Sequence, residues 1–233
     1  MPGSSTLWRH RLRRLLRPAW LGTLRRLTPI SRLWGADRGT PVDRYYIEQF
    51  LESHRADVRG RVLEMKDSGY TRRFGRDVSV ADVLDVYSAN PEATVVADLA
   101  AADAIPPDSY DCFLLTQTLQ FIAEPRAALS HAWRILRPGG VLLATVPTVS
   151  RVIREFDYLS DYWRFTPAAC STLFSERFGA TAVTVRGRGN VLASIAFLTG
   201  MAAEELSSRE LESDDPDFPL LVTIRAVKSG SAR

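Results

Sequence analysis

The sequence predicts an α/β domain built on a mostly parallel sheet, and three observations support this class. First, two short apolar runs, residues 110–115 and 141–146, flank an amphipathic helical pattern, which is the order of a βαβ unit. Second, Pro138, Gly139 and Gly140 follow that pattern, and proline ends a helix while glycine accepts turn conformations. Third, each of three earlier strand candidates ends in or just before an acidic residue. The acids therefore gather at the carboxyl edge of the predicted sheet.

Composition limits the chain to one large domain with a small appendage. The 233 residues are 45% hydrophobic and 24% charged, which is ordinary for a soluble globular protein. The net charge of +3 hides an asymmetry, because residues 1–38 carry nine arginines and a single aspartate. The rest of the chain is mildly acidic, which argues against a broad nucleic-acid surface.

Cysteine and histidine usage excludes several classes. Cys112 and Cys170 are the two cysteines, and three histidines are scattered along the chain, so we expect no disulfide framework and no zinc site. No apolar run approaches the roughly 20 residues of a membrane span. We therefore expect a cytoplasmic protein without a metal.

The predicted domain organisation is a basic amphipathic arm at residues 1–38, a domain at 39–228 and a disordered tail at 229–233. The apolar residues of the arm recur at helical spacing: Trp8, Leu12, Leu15, Leu16, Ala19, Trp20, Leu24 and Leu27. Such a face suits an anionic membrane surface or an acidic partner. A mobile or self-docked extension and an Arg-rich transit peptide are the open alternatives.

The remaining elements follow from apolar periodicity. The strand candidates are residues 61–65, 77–82, 93–98, 110–115, 141–146, 180–185 and 220–227. Helices are expected at residues 41–54, between strands four and five, at 151–156, and at 191–203, the last being buried and capped by Asn190.

Glu64, Asp82 and Asp98 are the acids at the ends of the first three strand candidates. Ligands of open parallel sheets bind outside the carboxyl ends of the strands, and an acid roughly 20 residues after the first nucleotide turn is typical of ribose binding. The separation from Glu64 to Asp82 is 18 residues. Helix capping is the alternative for one such acid, but three in register favour a ligand site.

A later segment, residues 157–174, places aromatic and charged side chains together. Asp161, Tyr162, Trp163 and Arg164 suit a substrate lid, and an aromatic patch that holds a helix on the sheet is equally compatible with the pattern.

Five stretches carry a resemblance to a known family: VLE at 62–64, VAD at 80–82, VADL at 96–99, YDCFLLTQTLQFI at 110–122 and LRPGGVLLATVP at 136–147. They resemble class I S-adenosylmethionine-dependent methyltransferases of the methyltransferase-11-like branch, over about residues 38–227. The resemblance implies a Rossmann-like, doubly wound, seven-stranded and mostly parallel sheet with an antiparallel last strand. It also implies S-adenosylmethionine as the cofactor.

The resemblance also implies roles for individual residues. Glu64 and Gly69 would lie at the methionine end of the cofactor, and Asp82 would bind the ribose, so that Asp82→Ala is expected to lose the cofactor. The adenine would lie by Asp98 and Leu99, Thr116 would contact the cofactor, and Gln117 would face the substrate. The chain departs from the family at the loop after Glu64, where EMKDSGY keeps one glycine, Gly69, in place of three.

The predicted function is methyl transfer, most specifically O-methylation of a sugar or small polar metabolite, or a glycan. Asp161 and Tyr162 are the candidate catalytic residues, and Tyr162, Trp163 and Arg164 join Gln117 as substrate contacts. The alternative is a non-catalytic scaffold of the same fold that binds a partner or a membrane through its arm. A nicotinamide dehydrogenase is disfavoured because no G-x-G-x-x-G follows the first strand.

Overall fold

A seven-stranded sheet organises the described part of the chain, residues 22–154 and 160–230 of a computed structural model. The strands are β1 (Gly60–Met65), β2 (Val78–Asp85), β3 (Val95–Val96), β4 (Tyr110–Thr116), β5 (Leu136–Pro147), β6 (Val183–Arg188) and β7 (Leu221–Val227). Their spatial order is β3-β2-β1-β4-β5-β7-β6. Neighbours from β3 to β5 are parallel, and β7 is antiparallel to both β5 and β6. The predicted Rossmann-like sheet with an antiparallel last strand is confirmed.

Helices cover both faces of this sheet. They are α1 (Val42–Ser53), α2 (Gly69–Phe74), α3 (Pro125–Ile135), α4 (Pro167–Phe178), α5 (Val191–Thr199) and α6 (Ser208–Glu212). One buried cluster joins Leu63 and Phe113 to α3 and α4. The other joins Val62 and Cys112 to α1 and α5. Adjacent residues of one strand thus enter opposite cores, as the alternation of a strand requires.

The strand register brings several carboxyl ends to one edge of the sheet. Glu64 of β1 lies opposite Val83 of β2 and Leu114 of β4. The loops that follow β1, β2 and β4 therefore leave the sheet side by side, and this edge holds the candidate site.

Two predicted strand ends are wrong. β2 continues three residues beyond Asp82 to Asp85, because Val83 and Leu84 extend the apolar run and pair with β1. β3 contains only Val95 and Val96, so that Asp98 lies in the turn beyond the strand, where it caps a 3₁₀ helix at Leu99–Ala101.

Other boundaries also differ from the prediction. The strand β5 begins at Leu136, so the Pro-Gly-Gly sequence lies within this strand instead of forming a separate turn. The backbone N–H of Gly139 donates to the carbonyl of Lys228 at 2.8 Å, which extends the pairing. Residues 151–154 of the predicted helix at 151–156 are not helical, and its last two residues lie outside the description. A 3₁₀ turn at Ala180–Ala182 moves β6 to Val183–Arg188.

The C-terminal part of the predicted arm is attached to the domain. The backbone N–H groups of Ile30 and Ser31 donate to the carbonyl of Thr199, at the end of α5. The guanidinium of Arg151 lies 3.8 Å from the ring centroid of Trp34, and Arg38 forms an ion pair with Glu205. Residues 1–21 of the arm and 231–233 of the tail lie outside the described residues.

The helix α5 departs from the prediction in its length and its burial. Asn190 caps it as expected, accepting from the N–H of Ala193, but the helix ends at Thr199 because Gly200 adopts a left-handed conformation. Ala193, Ala196 and Phe197 are buried, whereas the apolar residues of its outer face are exposed. None of the described helices is both long and apolar enough to span a bilayer.

Candidate functional site

A cavity of about 540 Å³ opens at the carboxyl ends of β1 and β4. Its walls come from the loops after these strands, from α2, and from the first half of α1. The sequence-predicted residues that line it are Glu64, Gly69, Thr116 and Gln117. Its size is in the range of small-molecule sites, which run from roughly 300 to 1,000 Å³.

Glu64 holds the floor of this cavity in place. Its carboxylate is buried and accepts hydrogen bonds from the backbone N–H groups of Tyr70 and Thr71, at 3.0 and 2.7 Å. These are the second and third residues of α2, whose N–H groups have no partner within the helix. Burial raises the pKa of the Glu64 carboxyl above its ordinary value, against the lowering effect of the bonds to Thr71 and Tyr70. The predicted acid therefore fixes the loop between β1 and α2.

Lys66 takes the backbone conformation that a glycine would supply. Its φ is +70°, in the left-handed region that side chains with a Cβ rarely adopt. The N–H of Lys66 donates to the carbonyl of Leu84 on β2 at 3.0 Å, which ties the turn to the sheet. The loop thus makes its tight turn although the family glycine is absent from this position.

The acid at the end of β2 is Asp85, which the sequence prediction missed. Its Oδ1 accepts from the N–H of Tyr87 at 3.0 Å, and its Oδ2 accepts from the side-chain amide of Asn90 at 2.7 Å. The same amide donates to the carbonyl of Lys66 at 2.6 Å. Asn90 therefore joins the loops after β1 and β2 at the edge where parallel sheets bind ligands. The sequence does indicate the longer strand, because the apolar pair Val83 and Leu84 follows Asp82 and precedes a second acid, Asp85.

Gln120 brings an unsatisfied acceptor to the cavity wall. Its Nε2 donates to the carbonyl of Gln117 at 2.8 Å, which fixes the orientation of the amide. Its Oε1 is buried and has no hydrogen-bond partner, although the residue is only 4% exposed. Gln117 has a φ of +45° and donates its N–H to the carbonyl of Thr145 at 2.8 Å. A buried acceptor of this kind is costly unless a ligand donates to it.

The opposite wall, from α1, is ionic. Asp43, in the first turn of this helix, is partly buried, and burial raises the pKa of its carboxyl to about 6. Its Oδ1 accepts from the N–H of Arg44 at 2.8 Å. Glu48, one turn further along, forms an ion pair of 2.6 Å with Arg73 of α2. The cavity therefore has a partly desolvated carboxylate at the side opposite the strand ends.

The structure does not bring three predicted cofactor contacts to this cavity. Asp82 lies within β2, where its carboxylate accepts from Arg61 at 2.7 Å and from the hydroxyl of Thr94 at 2.9 Å. The carboxylate of Asp98 accepts from the N–H of Ala100 at 2.8 Å, so Asp98 caps the 3₁₀ helix, which is the alternative role that the sequence allowed for such an acid. Leu99, in the same turn, belongs to the core. None of the three lines the cavity.

The predicted substrate lid, as far as the structure describes it from residue 160 onward, lies beside the cavity without lining it. The carboxylate of Asp161 accepts from Arg164 at 2.5 and 2.8 Å and from the N–H of Ile153 at 2.9 Å. Although burial alone would raise it, these donors lower the pKa of the Asp161 carboxyl, which makes it a weak proton acceptor. Tyr162 and Trp163 are exposed, and their N–H groups donate to the carbonyl of Gln120. This segment therefore supports the wall from behind, and residues 155–159 lie outside the description.

Comparisons with known proteins give one family match and several structural likenesses. Residues 60–144 match the family model described as a methyltransferase domain. A SAM dependent methyltransferase from Archaeoglobus fulgidus has a TM-score of 0.53 at 12% identity, over 79% of this chain and 94% of that chain. An S-adenosylmethionine dependent methyltransferase from Mesorhizobium loti has a TM-score of 0.50 at 14% identity, over 80% and 99%. The [4+2]-cyclase SpnF has a TM-score of 0.50 at 14% identity, over 83% and 84%. No curated protein matches the chain.

The three structural likenesses show the fold alone, and the cyclase among them shows that this fold hosts more than one reaction. The family match covers the side of the cavity formed by the loops after β1 and β4 and by α2, and it leaves out the side formed by α1. Residues 60–144 therefore carry the pattern of a methyltransferase domain, within a chain that has the fold of the two methyltransferase structures.

The cavity suits the S-adenosylmethionine that the sequence resemblance implies. The unsatisfied Oε1 of Gln120 and the carboxylate of Asp43 can take a ligand that carries hydrogen-bond donors and positive charge, and Lys66 makes the tight turn that follows β1. Within residues 22–154 and 160–230, no group of His, Cys, Asp or Glu side chains is arranged to hold a metal ion.

Proposed function

We propose that this protein is an S-adenosylmethionine-dependent methyltransferase, and that it transfers a methyl group to an oxygen of a small polar metabolite, such as a sugar, held between α1 and the carboxyl ends of β1 and β4. The observation that carries the proposal is the shared cavity. The loops at the strand ends form one side of the cavity. Asp43, Arg44 and Glu48 form the other side, and their side chains can hydrogen-bond a polar molecule that accepts the methyl group. Its volume of about 540 Å³ favours a small acceptor over a macromolecule.

The cofactor end is assigned to the loops after β1, β2 and β4. Glu64 would act through the backbone that it fixes at the start of α2, and Thr116 would lie at the methionine end. We assign ribose binding to Asp85 in place of Asp82. Neither residue lines the cavity, but Asp85 ends β2 and is joined through the amide of Asn90 to the carbonyl of Lys66 at the cavity wall, while Asp82 is held by Arg61 inside the strand. When bound, S-adenosylmethionine supplies a methyl group on a positively charged sulfur, which is already activated for transfer.

The acceptor end is assigned to Asp43. An acceptor hydroxyl must lose its proton as its oxygen gains the methyl group, and a carboxylate with a pKa of about 6 is ionised and available for that proton at neutral pH. Asp161 and Tyr162 are weaker candidates, because Asp161 is occupied by Arg164 and neither residue lines the cavity. The main contribution of the protein is then to align the acceptor oxygen and to exclude water.

The buried amide of Gln120 supports the proposal that the cavity binds a ligand. Its unpartnered Oε1 can accept a hydrogen bond from an ammonium or hydroxyl group of a bound molecule. Together with the retained turn at Lys66, this argues against the alternative of a non-catalytic scaffold, for which a costly buried acceptor in the cavity has no use.

The test is methyl transfer from ¹³C-methyl-labelled S-adenosylmethionine to fractionated pools of small polar metabolites. The ¹³C shift of the product distinguishes a methyl group on oxygen from one on nitrogen or sulfur. We expect an O-methyl product with the wild-type protein, and a large fall in kcat with Asp43→Asn.

Calorimetry of S-adenosylhomocysteine binding provides the control, since Asp43→Asn should retain that affinity. Methylation of nitrogen only, or an unchanged kcat in Asp43→Asn, would contradict the assignment. Tight cofactor binding without a methylated product from any pool would refute the proposed acceptor class.

A further inference from the structure

The outer face of α5 is an exposed apolar stripe. Val191, Leu192, Ile195 and Leu198 lie at positions that share one side of a helix, and they are 50, 38, 37 and 45% exposed. A polar outer face is the usual arrangement for a helix whose other face, here Ala193, Ala196 and Phe197, is buried in a core. Contiguous exposed apolar groups of this kind mark interaction sites.

An acidic segment borders this stripe. Residues 204–217 contain seven acids and one arginine, and most of these carboxylates are exposed. The side-chain amide of Asn190 donates to the carbonyls of Glu210 and Ser213, so this segment is fixed to the start of α5. A surface depression of about 430 Å³ lies at this corner, between Leu192 and Glu210. The stripe therefore has negative charge along its border.

The described C-terminal part of the N-terminal arm lies next to the same helix. The N–H of Ile30 donates to the carbonyl of Thr199 at 2.7 Å, and Ser31 contacts the end of α5 so closely that a Cβ at Gly200 would lie 2.3 Å from its carbonyl oxygen. The description starts at Gly22, eight residues earlier. Gly22 therefore lies within about 28 Å of the end of α5. Residues 1–21 span up to about 70 Å when extended, and α5 with its nine residues is about 14 Å long, so these residues can reach the whole stripe.

We infer that residues 1–21 dock on the outer face of α5. Their sequence complements that face in both respects, because apolar residues including Trp8, Leu12 and Leu16 recur at helical spacing and five arginines occur without any acid. The apolar side chains of the arm would cover the stripe while its arginines face the acidic border, an arrangement that combines burial with opposite charge.

The acidic border disfavours the other occupants of the stripe. A symmetric contact between two copies would bring the same acidic segments against each other, and an anionic membrane would repel them. Docking of the arm also bears on the cavity, because α5 supplies Phe197 to its wall. The inference itself does not depend on methyl transfer.

The test is site-specific photocrosslinking of the full chain. A p-benzoylphenylalanine residue in place of Ile195 should form, on illumination, crosslinks within one molecule to residues 1–21, identified by mass spectrometry after digestion. The matched control carries the same probe in place of Val96, which is 52% exposed on the opposite edge of the sheet and should give no such product. Illumination of mixed ¹⁴N- and ¹⁵N-labelled protein separates intramolecular from intermolecular products.

The charge complementarity is tested by reversing three arm charges in the same probe-bearing chain, Arg11→Glu, Arg13→Glu and Arg14→Glu. We expect loss of most of the arm crosslink, at an unchanged melting temperature. Four results would overturn the inference: no arm crosslink from position 195, equal yields from positions 195 and 96, products between two molecules only, or a yield that the charge reversal leaves unchanged. Vesicles containing phosphatidylserine should not abolish the crosslink. Its loss on their addition would be a fifth result against the inference, since it would assign the basic arm to the membrane.

Discussion

Replacing Asp43 with asparagine should remove a pH dependence of stability that the wild-type protein shows between about pH 4 and pH 6. The carboxyl of Asp43 lines the cavity and is partly desolvated, with a pKa raised by burial to about 6. In the unfolded chain an aspartate has a pKa of about 3.9. Asparagine has nearly the same shape and cannot ionise, so the substitution isolates the charge.

The sign and size of the effect follow from linkage. Between these two pKa values the native state holds a proton at Asp43 that the unfolded state has released, so the free energy of unfolding falls as the pH rises. A difference of about two units corresponds to at most about 3 kcal/mol, since one unit is about 1.4 kcal/mol. Because Asp43 is in part accessible to water, we expect about 1–2 kcal/mol. Asp43→Asn should be as stable as the wild type near pH 4 and more stable by that amount at pH 7.

The assay is urea denaturation of both proteins in steps from pH 4 to pH 7.5. The difference between their unfolding free energies cancels the contributions of all other groups, including the buried Glu64. Asp103→Asn, which removes an exposed carboxylate, controls for the loss of one negative charge. A difference between wild type and Asp43→Asn that stays constant over this range would show that Asp43 is fully solvated, and would remove the physical basis for its assignment as the proton acceptor.

Three further substitutions test the loops and the end of α5. Asp85→Asn should weaken S-adenosylhomocysteine binding by about 10- to 150-fold, which is the effect of losing a charged hydrogen bond of about 1.5–3 kcal/mol. Asp82→Asn should leave the calorimetric affinity nearly unchanged. The reverse order of effects would return ribose binding to Asp82. Lys66→Gly should change the free energy of unfolding in urea by less than about 1 kcal/mol, because relief of the left-handed strain offsets the flexibility of glycine. A larger loss of stability would mean that the lysine side chain stabilises the loop. Gly200→Ala should cost more than about 2 kcal/mol, because its Cβ would meet the main-chain oxygen of Ser31 at 2.3 Å in addition to a left-handed strain of about 1–2 kcal/mol. A loss no larger than that strain would rule out the steric explanation.

Local patterns were sufficient to predict the sheet and several residues that line the cavity. The apolar runs of β1, β4 and β5 and the helix between the last two are encoded by neighbouring residues, and these elements lie where they were expected. Glu64 and Thr116 line the cavity because they end buried strands. Such positions follow from the register of parallel strands, which the order of the elements along the chain already implies.

The misplacement of the acid on β2 has a non-local cause. An acid inside a buried strand is unfavourable, so the first acid of the run marked its end in the sequence. In the structure Asp82 is tolerated within β2 because Arg61 of β1 pairs with it and Thr94 donates to it. The guanidinium of Arg61 in turn lies over the ring of Tyr110 at 4.9 Å. This cluster joins residues from four separate segments, and no spacing along one segment predicts it.

Asp43 and Gln120 were missed for the same physical reason. Each is unremarkable in its own segment, one in the first turn of a helix and the other in a short 3₁₀ turn. Asp43 becomes significant when α1 crosses the sheet edge and removes part of its carboxyl from water. Gln120 becomes significant when Gln117 takes its amide N–H and leaves the oxygen buried without a donor. Desolvation is a property of the packed structure, so the sequence alone could not identify either residue.

The glycine-poor loop shows how a motif can change while its geometry remains. Glycine at the position of Lys66 would permit a positive φ at no steric cost, and Lys66 adopts that φ because its neighbours enforce it. Its N–H and its carbonyl are both bonded, to Leu84 and to Asn90, and Glu64 holds the N–H groups at the start of α2. A residue under about 1–2 kcal/mol of backbone strain persists where several such bonds determine its conformation. The loss of glycines therefore argues for a tighter network around the cavity rather than for the loss of cofactor binding.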